Sequence, residues 1–99
     1  MSLKYKLSKL ALEDIDTIWD FTVINCSIVQ AEKYYQQIFE SIITICQNPM
    51  IGKSINEIKE KHRKMLVGSH MIIYKQEENL ILIDRILHQK MDIENRLME

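Results

Sequence analysis

Glycine and proline are nearly missing from this chain, which holds two of the first and one of the second in 99 residues. So small a supply argues against a loop-rich or disordered polypeptide. No apolar run approaches the roughly 20 residues that cross a bilayer, so no membrane-spanning helix and no membrane partner are expected. Charge of one sign is not in excess either. Thirteen Lys and Arg stand against 14 Asp and Glu, a formal net charge of −1. Proteins that grip nucleic acid over their whole surface usually carry a clear basic excess, so any basic surface here must be local.

Cysteine is scarce as well. Cys26 and Cys46 should fall near the C-terminal ends of two consecutive antiparallel helices, roughly 25 to 30 Å apart and beyond disulfide reach. Two reduced, mostly buried thiols are expected. With three histidines and no further cysteine, no spacing resembles a ligand set, so neither a metal nor an organic cofactor is expected. The opening MSLKYKLS has no apolar h-region and no small-residue cleavage site, which predicts no signal peptide and a cytoplasmic location.

What the chain does contain is 46% hydrophobic and 27% charged residues, enough for one globular core and a single domain over 1–99. KYKL at Lys4 to Leu7 alternates and predicts a short strand, with Ser8 as the cap of a helix over Lys9 to Asn25. Leu12, Ile15, Ile18, Trp19, Thr22 and Cys26 recur at helical spacing, and Glu13, Asp14 and Asp16 lie near the positive end of the helix dipole. Ser27 to Gln30 has the spacing of a capping box and opens a second helix. Its stripe is Ala31, Tyr35, Ile38, Ile42 and Ile45, flanked by Tyr34, Phe39 and Cys46, and Asn48-Pro49 stops it. The few residues between the helices predict an antiparallel hairpin.

After the poorly patterned stretch Asn48 to Lys61, three runs rich in Ile, Val and Tyr predict strands over Arg63 to Val67, His70 to Lys75 and Leu80 to Leu87. Gly68-Ser69 and Gln76 to Asn79 separate them as turns. The last run is apolar on both faces and suits a central strand. The order β-α-α-β-β-β, a helical hairpin on a small antiparallel sheet, is an α+β fold.

Read together, YKLS, ALEDIDTIWDF, QAEKYYQQI, NPMIGKS, HRKMLVGSHMIIYK and the closing RILHQKMD resemble the RelE/ParE toxin superfamily of bacterial toxin–antitoxin (plasmid stabilisation) modules. RILHQKMD makes the chain look most like the ParE branch. The resemblance implies one of two activities: ParE-type toxins poison DNA gyrase, whereas RelE-type toxins enter the ribosome and cut messenger RNA. Either way it implies an antitoxin partner whose C-terminal segment wraps the toxin. Apolar stripes on both helix flanks further suggest a groove for that antitoxin, or self-association as a homodimer when it is absent.

A metal-free ribonuclease needs a cluster of proton-transferring and phosphate-stabilising side chains. Arg63, Tyr74, Arg85 and His88 are the candidates, with His70 also available as a site residue or, more plainly, a turn residue. The near-neutral charge and the lack of a tyrosine after the last strand depart from the ribonuclease branch, so a gyrase inhibitor that acts by binding is expected. His88, Lys90, Met91 and Asp92 then form the expected target-binding surface, Met91 offering an adaptable thioether. The alternative is that Asp92 merely caps a terminal helical turn. The basic group Lys59, Lys61, His62, Arg63 and Lys64 reads as a solvated loop rim.

Overall fold

The computed structural model describes residues 2–90 and Leu97. The elements are β1 (Lys4–Leu7), α1 (Lys9–Asn25), α2 (Ile28–Gln47), β2 (Lys53–Ser54), β3 (His62–Val67), β4 (His70–Glu77) and β5 (Leu80–His88). The strands form one sheet in the order β1-β5-β4-β3-β2. The helical hairpin covers one face, as the α+β pattern predicts. Two features were not legible: β1 runs parallel to β5, and Lys53–Ser54 adds a fifth, two-residue strand inside the poorly patterned stretch. The β4–β5 turn is also tighter than expected, because β4 continues to Glu77.

Both helices start where their serines place them. Ser8 accepts from the Ala11 amide at 3.0 Å, and Ser27 accepts from that of Gln30 at 3.0 Å. Such caps satisfy amides that have no intrahelical partner. The buried face of α1 is Ala11, Ile15, Ile18 and Thr22, so Ile15, Ile18 and Thr22 are buried as expected and the stripe is corrected at Leu12, at half-buried Trp19 and at Cys26. Leu12 is half exposed, and Cys26 is an exposed C-cap residue at the hairpin tip rather than a buried thiol. The small Ala11, at 0% exposure, is the side chain that α1 seats against the core. On α2, Ala31, Ile38, Ile42 and Ile45 are buried as expected, but Tyr35 is exposed. Instead Tyr35 stacks in a surface aromatic row, with Trp19 of α1 edge-on at 5.7 Å and Phe39 at 4.8 Å. Edge and offset contacts of this kind hold the hairpin together beyond simple area burial.

The sheet separates two cores. Toward the helices, Ile72, Tyr74, Ile81, Ile83 and Ile86 join Ile15, Ile38 and Ile42. On the opposite face Met71, Ile73 and Leu87 pack with Ile55 and Leu97. A bulge makes this possible. Ile73 pairs with Arg85 while Tyr74 pairs with Ile83, so Asp84 is an extra residue in β5. The extra residue resets the alternation and lets Ile83 and Ile86 both face the helices. Ser8 anchors the bulge by donating its hydroxyl to the Asp84 carbonyl at 2.6 Å.

Candidate functional site

The bulge sends two neighbouring charges to different partners. Arg85 forks onto Asp14 of α1, with Nε at 2.9 Å from Oδ2 and Nη2 at 3.0 Å from Oδ1. The Ile86 amide adds a bond to the same carboxylate at 2.9 Å. A bidentate, charge-assisted pair with side chains only 11% and 15% exposed fixes the angle between α1 and β5. Asp84 meets Lys59 Nζ at 2.5 Å and lies 3.6 Å from His62 Nε2.

Beside the Asp14–Arg85 pair opens a cavity of about 540 Å³ between α1, α2 and the end of β5. Its polar wall is Asp14, Tyr34, His70, Arg85 and His88; Ile18, Phe21 and Ile86 supply apolar surface. Tyr34 is the hub. Its oxygen accepts from the Ser69 amide at 3.1 Å and its hydroxyl donates to the Val67 carbonyl at 3.0 Å, while His70 Nδ1 hydrogen-bonds to it at 2.6 Å in a direction set by the imidazole tautomer. Burial raises the Tyr34 pKa against the lowering effect of its backbone partners. His70 is pushed down, first by burial and then by the neighbouring His88, with Asp14 opposing. The two imidazoles sit edge to face, 5.2 Å between centroids, and His88 Nδ1 accepts from the Lys90 amide at 3.1 Å. This wall can donate, accept and exchange a proton, and it borders an apolar floor.

The expected ribonuclease set is therefore divided. Arg85 and His88 line the cavity. Arg63 and Tyr74 work around the Pro49–Gly52 turn, where Tyr74 donates to the Pro49 carbonyl at 2.8 Å and accepts from the Gly52 amide at 2.9 Å. Arg63 donates to the Gly52 carbonyl at 2.8 Å. Tyr74 has no exposed surface, and burial raises its pKa. His70 and Tyr74 stand at opposite ends of a four-residue step along β4, about 13 Å. His70 begins β4 rather than occupying the turn. Lys90 is exposed just beyond β5, while Met91 and Asp92 lie outside the described residues.

The solvated-rim reading of Lys59 to Lys64 is corrected at two positions, since Lys59 is held by Asp84 and His62 is 5% exposed. His62 Nδ1 donates to the Glu60 carbonyl at 2.8 Å, because a carbonyl can only accept. Burial lowers the His62 pKa most strongly. Asp14 and Tyr34 were not foreseen as site residues. Asp14 lies 71 residues from Arg85 in sequence, and nothing local marks the pair. Among the described residues no group of three metal-ligating side chains is gathered, and no helix is long and apolar enough to cross a membrane.

A two-helix hairpin on a five-stranded sheet, with a half-apolar cavity beside the hairpin tip, defines a small α+β fold. The chain belongs to the family of ParE toxins of type II toxin–antitoxin systems, parDE, whose model matches residues 5–93. It is 37% identical over 98 residues to Toxin ParE1 of Mycobacterium tuberculosis, covering 98% of this chain and 100% of that protein. It is 30% identical over 88 residues to Toxin ParE1 of Caulobacter vibrioides, covering 89% of this chain and 91% of that protein. Its fold is shared with the chromosomal ParDE TA system from P. aeruginosa, at a TM-score of 0.76, 21% identity and coverage of 88% and 96%. The RelBE2 toxin–antitoxin complex from M. tuberculosis shares it at a TM-score of 0.69, 12% identity and coverage of 90% and 100%.

Proposed function

We propose that this toxin acts by binding DNA gyrase and blocking replication, and that a cognate antitoxin neutralises it. Membership of the ParE family carries the toxin reading, and the ParE-like RILHQKMD ending directs it to gyrase. The geometry supports binding over catalysis through one observation: Arg63 and Tyr74 are committed to holding the Pro49–Gly52 turn, away from Arg85 and His88. Target recognition is assigned to His88, Lys90, Met91 and Asp92.

The antitoxin surface is the hairpin tip together with the neighbouring cavity. Phe21, Ile24, Ile28 and Val29 are 59% to 80% exposed there, an unusual concentration of bare apolar side chains. Without the antitoxin the same patch drives homodimer formation. In the test, purified toxin is added to gyrase supercoiling reactions and, separately, to translating ribosomes. Inhibited supercoiling with intact messenger RNA is expected. Cut messenger RNA with unaffected gyrase would reverse the assignment in favour of the ribosome.

A further inference from the structure

We infer that the sheet face turned away from the helices carries a second binding site, a basic cleft that takes the phosphodiester backbone of duplex DNA. Beside the first turn of α1 lies a cleft of about 440 Å³ lined by Lys6, Ser8, Lys9, His62, Lys75 and Asp84, among others. Its cations come from β1, α1 and β4, so no run of sequence announces them.

The charges do not cancel inside the cleft. Among the described residues its one carboxylate, Asp84, is taken by Lys59 at 2.5 Å. Lys75 is ion-paired with Glu77 at 3.3 Å, but the Glu77 side chain is 60% exposed, and a pair so open to water holds its lysine weakly. Lys6 and Lys9 are exposed and face no acidic group in the first turn of α1. That turn also contributes the positive end of a 17-residue helix. Its Ser8 cap serves the Ala11 amide, while the amides that begin a helix have no acceptor within it.

The lining selects among anions. Among the described residues it has no Phe, Tyr or Trp, and so no stacking platform of the kind that holds single strands. Among the described residues its lining has no arginine, the residue that reads guanine edges and clamps one phosphate bidentately. Lysines on an open cleft suit sequence-independent contact with successive phosphates. At a net charge of −1 the contact is weak by itself, on the order of 10 µM at low salt. It serves to hold the toxin against DNA that is already presented. The inference stands apart from the gyrase assignment, since duplex binding is measured with the toxin alone.

The test is fluorescence anisotropy of a labelled 20-base-pair duplex with the full chain, from 25 to 150 mM chloride. Wild type should bind with a log–log salt slope of about −3, and Lys6→Gln/Lys9→Gln should reduce the slope to about −1 and weaken binding about tenfold or more. Lys33→Gln on α2 removes a charge elsewhere and should leave the slope unchanged; thermal melting checks that every variant folds. Absent duplex binding at 25 mM chloride, or an unchanged slope in the double variant, overturns the site. Displacement by inorganic phosphate beyond chloride of equal ionic strength would reassign it to free phosphate. Tighter binding of single-stranded RNA would overturn the duplex reading.

Discussion

Two tyrosines perform the same task at opposite ends of the sheet, and their surroundings give them different consequences. Tyr74 and Tyr34 each tie down a loop through backbone groups, and each lies against a glycine. An added Cβ at Gly52 would come within 2.5 Å of the Tyr74 hydroxyl and 2.8 Å of the Lys64 carbonyl. One at Gly68, where φ is +55°, would come within 2.5 Å of the Tyr34 ring. Tyr74 is sealed and its partners are backbone groups, so it can only hold. Tyr34 stands at a cavity wall and is hydrogen-bonded to a histidine. The same staple becomes chemically responsive once water and a titratable neighbour reach it.

The sharpest test of that contrast removes each hydroxyl. Tyr74→Phe should cost roughly 2–4 kcal/mol, because it strands a buried amide and a carbonyl. For a domain of this size the melting temperature should fall by roughly 10 °C or more. Tyr34→Phe should cost only about 1–2 kcal/mol, since water can replace it at the rim. Equal losses in the two melts would erase the distinction between a sealed and an open end. Next in size, Asp14→Asn should cost about 2–3 kcal/mol by weakening the fork from Arg85, measured by denaturant unfolding.

A smaller effect is expected from pH. Burial lowers the pKa of both His62 and His70 below the ordinary value of 6.5. The unfolded chain therefore binds more protons than the folded one as pH falls through 6.5, and stability falls with it. Their contribution is complete above pH 6.5 and is lost toward the depressed folded values. Melting temperatures from pH 7.5 to 5.5 should decline, and His62→Gln should flatten the curve. A wild-type protein that melts higher at pH 5.5 would contradict the sign. Smallest of all, alanines at Lys90, Met91 and Asp92 should change stability by no more than about 0.5 kcal/mol while abolishing growth inhibition. A folded triple variant that still stops growth would remove the tail from target recognition.

Much of this architecture could be read from the residues because it is local. Ser8, Ser27 and Asn48-Pro49 bound the helices through groups within a turn of each other, and the apolar, Ile-, Val- and Tyr-containing runs ending at Val67 and starting at His70 favour extended backbone by themselves. What could not be read depends on partners far along the chain. β2 is two residues long and exists only because β3 passes beside it. The bulge at Asp84 follows from packing on both faces of the sheet, and Asp14–Arg85 from the way α1 lies across β5. Leu12 outranks Ala11 in hydrophobicity, yet the space beneath the helix selects the smaller residue. At the site, Arg85 and His88 were visible as polar residues ending an apolar strand. Tyr34 was hidden among α2 aromatics, and its role emerges only where the β3–β4 turn meets the helix.

The parallel pairing of the first strand with the last also has a bearing on timing. Among the described residues β1 has only β5 as a neighbour in the sheet, and the serine that caps α1 also bonds to a residue 76 positions later. Contacts of such sequence separation form late because the intervening chain must first be closed. During synthesis from the N-terminus the hairpin emerges early, but its seat on the sheet is missing until β5 is made. A ribosome that stalls before Leu80 releases a polypeptide without a working toxin. Only a completed translation arms it.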